Sequence, residues 1–174
     1  MKRVILFVLI LLTAFSAACA EKNVIVEVNA IDEVNDNMSL PFPLALPEEE
    51  LVYGEEYVRD EGFGCCTLRK DGLVIWISGW PDVIDPYHVT KYIFTDDKYN
   101  VFDISVGDAL DDAATVLMAC GYSWNEEDHA QHDCRDSAFE KQKQVRITLR
   151  VDENDVVYEI CITAIATNKD DIVF

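Results

Sequence analysis

The clearest alternation of apolar and polar positions lies near the C-terminus. In the segment 143–151, "KQVRITLRV", every second residue from Val145 onward is apolar, so Arg146 and Arg150 face away from the apolar side. The acidic turn 152–155 separates this segment from a second apolar run at 156–166. The pattern predicts a β-hairpin whose core-facing residues on the first strand are Val145, Ile147, Leu149 and Val151.

Three further strands are predicted upstream of this hairpin. The segments 62–69 ("GFGCCTLR") and 73–80 ("LVIWISGW") are joined at Asp71-Gly72, a dipeptide typical of two-residue hairpin turns because glycine accepts a positive φ. The segment 87–95 is rich in β-branched and aromatic residues, which favour a third strand.

One stretch has helical periodicity. Asp108 is a good N-cap, Asp111 follows at the spacing of a capping box, and Gly121 fits the position after a helix C-terminus. The polar segment 122–141 then predicts a loop. The helix between these end signals has one apolar stripe, formed by Leu110, Ala113, Ala114 and Leu117.

The segment 21–50 has the weakest pattern. A short strand is predicted at 23–28, whereas 31–50 combines three prolines with many acidic residues. We therefore expect residues 21–50 to be a linker or an extended segment lying on the domain. Residues 51–174 are expected to form a single α+β domain, in which a mostly antiparallel sheet (a meander plus the C-terminal hairpin) packs against one main helix.

Residues 1–20 have the pattern of a secretory signal peptide. A basic pair at 2–3 precedes an apolar run at 4–15 and the small residues "SAACA". The A-x-A rule predicts cleavage after Ala20. Cys19 after two alanines also resembles the lipobox of bacterial lipoproteins, although Ser16 stands where that motif usually has leucine. Both alternatives stay open, and both predict a secreted or cell-surface protein.

The charge balance limits the classes of partner. The chain has 14 basic and 33 acidic residues and a net charge of −19. Removal of residues 1–20 takes away two of the basic residues and no acidic one, which leaves −21. Nucleic acids and anionic membranes repel such a chain, so we expect no nucleic-acid partner and membrane contact only through a lipid on Cys19. The hydrophobic share of 50% argues against wholesale disorder.

The stretch 125–134, "NEEDHAQHDC", raises the question of a metal site. Its spacing matches no standard zinc motif, and alanine and glutamine separate the two histidines, so there is no H-E-x-x-H. We expect no metal and no cofactor, and keep a metal-binding protein using the acidic loop 125–136 as an alternative. The candidate ligands in that case are His129, His132, Asp133 and Cys134.

A cysteine-dependent hydrolase is a second alternative. Cys65 or Cys66 with His88 could form a nucleophile–base pair. No cysteine-protease signature, serine elbow or phosphate loop occurs in the chain, and acidic surroundings raise rather than lower a thiol pKa. The sequence therefore favours a protein without enzymatic activity.

Disulfides are a more common fate than zinc for cysteines outside the cytoplasm. A bridge between Cys120 and Cys134 would close the acidic loop at both ends. We then expect Cys161 to pair with Cys65 or Cys66, which leaves one thiol free.

The stretch 103–122, "DISVGDALDDAATVLMACGY", resembles small exported bacterial domains of the BLIP-like or BamE-like type. Ile104, Val106, Gly107 and Gly121 match their pattern, and Ala109 replaces the usual serine or threonine. The resemblance covers about residues 100–166. It implies a non-catalytic scaffold that binds proteins or supports an envelope assembly. The expected function is therefore binding or support at the bacterial surface, with another envelope or extracellular protein as partner.

Overall fold

The computed structural model describes residues 29–62, 64–79, 87–125 and 135–165. Within these ranges the chain forms two α-helices, α1 (Ala30–Asp36) and α2 (Leu110–Ala119), and a 3₁₀ turn at Glu48–Glu50. None of the described helices is long and apolar enough to cross a bilayer. The strands are β1 (Val58–Gly62), β2 (Cys65–Lys70), β3 (Leu73–Ser78), β4 (His88–Phe94), β5 (Asn100–Val101), β6 (Ile104–Ser105), β7 (Ser123–Asn125), β8 (Arg135–Lys141), β9 (Val145–Val151) and β10 (Val157–Ala164).

Eight of these strands form one sheet in the order β1-β2-β3-β4-β10-β9-β8-β7, while β5 and β6 make a separate small hairpin. All neighbouring pairs in the large sheet are antiparallel. The two halves share one layout: α1 precedes the meander β1–β4, α2 precedes the meander β7–β10, and the last strands of the two meanders pair at the centre. The predicted α+β class with a mostly antiparallel sheet is confirmed, but two helices rather than one main helix belong to the fold.

One face of the sheet carries the core. The register aligns a row of apolar side chains across seven strands, and all but the last are buried. The buried residues of α1 and α2 belong to the same hydrophobic cluster, so both helices cover this face. From β2 to β7 the row is Leu68, Ile75, Tyr92, Ile162, Ile147, Phe139 and Trp124.

The segment 29–50 is part of the fold, and the linker interpretation is wrong for these residues. Ala30, Ile31 and Val34 of α1 and Leu44 beyond it are buried in the core. The backbone at 45–46 pairs with β4, since Ala45 N–H donates to Val89 O and Val89 N–H to Leu46 O. Contacts far along the chain hold this segment, so local periodicity does not reveal it. Residues 21–28 lie outside the described residues.

The start of α2 differs from the prediction by one residue. The N-cap is Ala109, whose side chain makes no capping hydrogen bond. The carboxylate of Asp108 instead accepts a hydrogen bond from the Ser105 N–H (2.8 Å) and closes the turn that precedes the helix. The acidic first turn of α2 still suits the helix dipole.

The predicted end of α2 is confirmed. Gly121 has a φ of +84° and its N–H donates to Met118 O, while the Tyr122 N–H donates to Leu117 O. This pair of hydrogen bonds is the Schellman motif, which requires the left-handed conformation that glycine adopts without strain.

The predicted hairpins are also confirmed, whereas the predicted loop at 122–141 is partly wrong. Asp71 and Gly72 both have positive φ and join β2 to β3, and β9 pairs with β10 along its length. Within 122–141, however, β7 and β8 extend the sheet, and Phe139 of β8 is fully buried. The sequence pattern does not predict β8, because its only apolar residues, Ala138 and Phe139, are consecutive and do not alternate with polar ones.

Candidate functional site

The face of the sheet opposite the core is the candidate site, and we call it the open face. The hydrophobic core cluster contains neither of the two buried apolar residues on this side, Ala138 and Cys161. Both described helices pack on the other side. The open face is formed by Asp60, Thr67, Arg69, Val74, Trp76, Lys91, Ile93, Asp136, Ala138, Glu140, Arg146, Thr148, Arg150, Glu159, Cys161 and Thr163.

A row of small and apolar side chains crosses the middle of the open face. The register aligns Val74, Ile93, Cys161, Thr148 and Ala138 on five successive strands, and we call this row the apolar strip. Its members are half-buried or buried, with Ala138 only 1% and Cys161 only 9% exposed. Long charged side chains stand on both sides of the strip, and their aliphatic stems cover apolar surface.

Ion pairs flank the apolar strip. Arg146 pairs with Glu140 (2.5 Å) on one side of the Thr148–Ala138 pair, and Arg150 pairs with Asp136 (3.4 Å) on the other. These side chains are about a quarter to two-fifths exposed. Pairs of this kind contribute about 0–1 kcal/mol each, so their main effect is to neutralise the face rather than to stabilise the fold.

Charge on the open face is balanced, unlike that of the whole chain. Two more ion pairs lie on this face, Arg69–Asp60 (3.1 Å) and Arg150–Glu159 (2.6 Å). The face thus carries four cations, with Lys91 as the fourth, and four carboxylates. The chain as a whole has a net charge of −19, so this face is a neutral area on an acidic protein.

Lys91 at the centre of the open face pairs with no carboxylate of the described residues. Its Nζ lies 6.0 Å from the centroid of the Trp76 ring, and Thr163 is its direct cross-strand neighbour. The buried indole Nε1 of Trp76 has no hydrogen-bond acceptor among the described residues. Burial raises the pKa of the Cys161 thiol, and the charge of Lys91 partly opposes that rise. The centre therefore holds an indole N–H without an acceptor and an ammonium whose hydrogen-bond partner is the Cys161 thiol.

A cleft of about 290 Å³ opens at the end of the strip that lies towards the β2–β3 turn. Val74 and Ile93 are among its lining residues, and Arg69 and Glu159 contribute charged walls. Tyr158 precedes the lining residue Glu159, at a bulge where the register between β9 and β10 shifts, and it is 37% exposed. An extra bulge residue stands out from the regular pleat.

The geometry does not support the cysteine-hydrolase alternative. Cys66 belongs to the core cluster and is 5% exposed, and burial raises the pKa of its thiol. Cys65 aligns with Ser78 on β3, which in turn aligns with His88 on β4. One strand therefore separates Cys65 from His88, about 10 Å between Cα atoms. Within the described part of the chain, neither thiol makes a hydrogen bond to the imidazole.

The expected bridge from Cys161 to Cys65 or Cys66 is wrong for this fold. β3 and β4 lie between β2 and β10, so the Cα atoms are at least about 14 Å apart. A disulfide needs a Cα separation of about 4.4–6.8 Å. None of the four described cysteines, Cys65, Cys66, Cys120 and Cys161, is bridged to another of them. Hydrophobic periodicity does not fix the strand order, which is why the pairing could not be judged from sequence.

Several predicted site residues lie outside the described residues. This applies to the candidate cleavage or lipidation residues Cys19 and Ala20 and to Cys134, so the Cys120–Cys134 bridge stays a prediction. In the described ranges, no group of three or more His, Cys, Asp and Glu side chains is placed to hold a metal ion. The candidate ligands outside those ranges are His129, His132, Asp133 and Cys134.

The open face was not identified from the sequence, although part of its signal was there. The alternation in β9 places Arg146 and Arg150 away from the core, as the structure confirms. What periodicity cannot show is that no described helix covers that side. In comparisons with protein-family models, curated proteins and solved structures, nothing matches this chain. The resemblance over residues 100–166 therefore stays a prediction.

Proposed function

We propose that this chain is an exported, non-catalytic binding protein of the bacterial cell envelope, and that its open face docks a partner protein. The observation that carries the proposal is an eight-stranded sheet with its core on one side and a charge-balanced face, crossed by an apolar strip, on the other. Protein interfaces have this arrangement, with few charges at the centre and a polar rim.

The size of the open face supports a protein rather than a small ligand. Eight strands about 4.8 Å apart and about six residues long cover about 34 by 20 Å, or about 700 Å². A typical stable interface buries about 800 Å² on each partner. The face is therefore large enough for a specific protein contact, whereas its cleft of about 290 Å³ could enclose only a single side chain of that partner.

The centre of the open face indicates what the partner brings. The buried indole N–H of Trp76 lacks an acceptor among the described residues, and the Lys91 ammonium beside it has only the Cys161 thiol as a hydrogen-bond partner. Leaving a buried donor without an acceptor costs about 1–3 kcal/mol. A partner that places hydroxyl, carbonyl or carboxylate oxygens over Lys91 gains specificity from its positive charge.

Export is the second part of the proposal. Residues 1–20 act as the signal sequence, supported by the basic pair, the apolar run and the small residues before Glu21. Cleavage after Ala20 releases the chain, whereas lipidation of Cys19 holds it at the membrane surface. Mass spectrometry of the protein purified from its cells distinguishes the two forms, and an intact Met1 would overturn the export proposal.

Site-specific photo-crosslinking in intact cells tests the docking surface. A photo-reactive amino acid replaces Val74 or Thr163 on the open face, and in control variants it replaces Val116 or Met118, which are 37% and 51% exposed on α2. We expect crosslinked protein products from the open-face positions and none from α2. Equal products from both sets, or none from the open face, would contradict the proposal.

A further inference from the structure

We propose that the partner on the open face is a second copy of this chain, and that two open faces pack against each other around a twofold axis. The inference rests on the proposed function, because it names the occupant of the same face. Three observations support it: the distribution of charge, the register of the sheet, and the position of Tyr158 next to the cleft residue Glu159.

The distribution of charge favours association of two copies through their open faces rather than through the sides that the helices cover. The covered side has acidic residues in the first turn of α1, throughout the 3₁₀ turn Glu48–Glu50, and in the first turn of α2. Two copies that meet on that side bring like charges together, which disfavours association. On the open face each carboxylate has an arginine beside it. Apart from the two Lys91 ammonium groups, which lie beside the proposed axis, two such faces meet without this repulsion.

The register makes the open face complementary to itself. An axis in the interface plane, parallel to the central strands β4 and β10, places β3 of one copy over β9 of the other. Apart from the rotation that sheet twist introduces, Val74 then faces Thr148 of the second copy, and Ile93 faces its Cys161. The apolar strip of each copy is thereby buried against that of the other.

The same axis also brings polar side chains of one copy opposite complementary side chains of the other. Trp76 and Arg146 occupy the same row on β3 and β9, so each ring faces the guanidinium of the other copy, a pairing that cation–π attraction favours. Lys91 faces the hydroxyl of Thr163 of the second copy, which can accept a hydrogen bond from the ammonium.

Tyr158 and the cleft form the third complementary pair. Tyr158 lies on β10, whereas Ile93 and Thr95, which line the cleft, lie on β4 and just after it. Most of the cleft lining belongs to β2, β3 and β4 on one side of the axis, whereas Tyr158 lies on the other side, next to the lining residue Glu159. The axis brings Tyr158 of each copy to the cleft of the other, as an isologous contact requires. The footprint of the open face, about 700 Å² on each copy, is close to the area that a typical interface buries on each partner.

Sedimentation equilibrium of the protein purified after export, from about 1 to 200 µM, tests the inference. We expect a dimer, with association weakened at least about tenfold by Ile93→Asp and by Tyr158→Ala but retained in Tyr158→Phe. Val116→Asp on α2 is the matched control and should leave association unchanged. Far-UV circular dichroism and thermal unfolding verify that each variant remains folded.

Two results would overturn the inference: a monomer over the whole concentration range, or a dimer that Val116→Asp disrupts and Ile93→Asp does not. Neither result overturns the proposed function. Crosslinks from Val74 or Thr163 to a different protein would uphold docking on the open face while rejecting the second copy. Absence of any product from these positions in cells would reject docking on this face altogether.

Discussion

Replacement of Lys141 tests whether α1 is an integral part of the fold. The Nζ of Lys141 donates to Glu33 Oε2 on α1 and to Cys120 O at the end of α2 (2.6 Å), and it lies 5.7 Å from the centroid of the Tyr122 ring. The side chains of Lys141 and Glu33 are only 17% and 23% exposed. One ammonium group thus joins α1, β8 and the C-terminus of α2.

The cost of Lys141→Met follows from these contacts. Removing one partner of a buried ion pair costs about 3–5 kcal/mol, because the other charge is left uncompensated. The residual exposure of this pair lowers that figure, whereas loss of a cation at the end of α2 adds about 0.3–1 kcal/mol. We therefore expect the free energy of unfolding to fall by about 2–4 kcal/mol, measured by urea denaturation with far-UV circular dichroism.

The matched control is Lys98→Met. Lys98 pairs with Asp96, but the two side chains are 44% and 35% exposed, so the loss should stay within about 1 kcal/mol. In the double variant Lys141→Met with Glu33→Leu, most of the stability should return, since an apolar pair can replace a buried ion pair at little cost. A loss for Lys141→Met no larger than for Lys98→Met would refute the role assigned to this contact.

The remaining predictions concern the core and the turns, and each is measured by the same urea denaturation. Leu149→Ala should cost about 2–5 kcal/mol because Leu149 is fully buried, and a loss below about 0.5 kcal/mol would show that the face is misassigned. Gly72→Ala should cost clearly more than Gly64→Ala. Both glycines have positive φ, but only at Gly72 would a Cβ meet another atom, Asp96 Cβ at 2.9 Å, and equal losses would contradict this reasoning. Tyr92→Phe should cost about 1–2 kcal/mol, because it removes the 2.6 Å hydrogen bond to Phe42 O, and no loss would mean that this bond is absent in solution.

The parts of the fold that could be predicted from the sequence are those fixed by local chemistry. The β9–β10 hairpin follows from strict alternation, and the turn at Asp71-Gly72 and the end of α2 at Gly121 follow from positive φ angles. Each signal lies within a few residues of the feature it determines. At these three features, the local conformational preference of the sequence agrees with the conformation in the folded chain.

The parts that could not be predicted depend on contacts between distant residues. α1 is held by Lys141, 108 residues away from Glu33, and by the Gln142 and Gln144 side chains, which accept hydrogen bonds from the Ala30 N–H. Strand order is equally non-local, and it separates Cys161 from the cysteines of β2.

The candidate site was missed for the same reason. Alternation in β9 shows that Arg146 and Arg150 face away from the core. It cannot show whether a helix covers them, nor that the strip between them continues across five strands. That information lies in the order and register of the sheet, which brings Val74, Ile93 and Cys161 into line with Thr148.

Thiol labelling at one position tests most directly whether the open face is uncovered in the free protein and occupied in the cell. Thr148→Cys places a thiol in the middle of the apolar strip, and Cys161→Ala is made with it so that no disulfide forms between these cross-strand neighbours. Reaction of the new thiol with a maleimide is quantified by peptide mass spectrometry beside the remaining native thiols. We expect rapid labelling in dilute purified protein and strong protection on intact cells. Slow labelling in dilute protein would show that the face is covered by the chain itself. Equally rapid labelling in both samples would show that nothing docks on it.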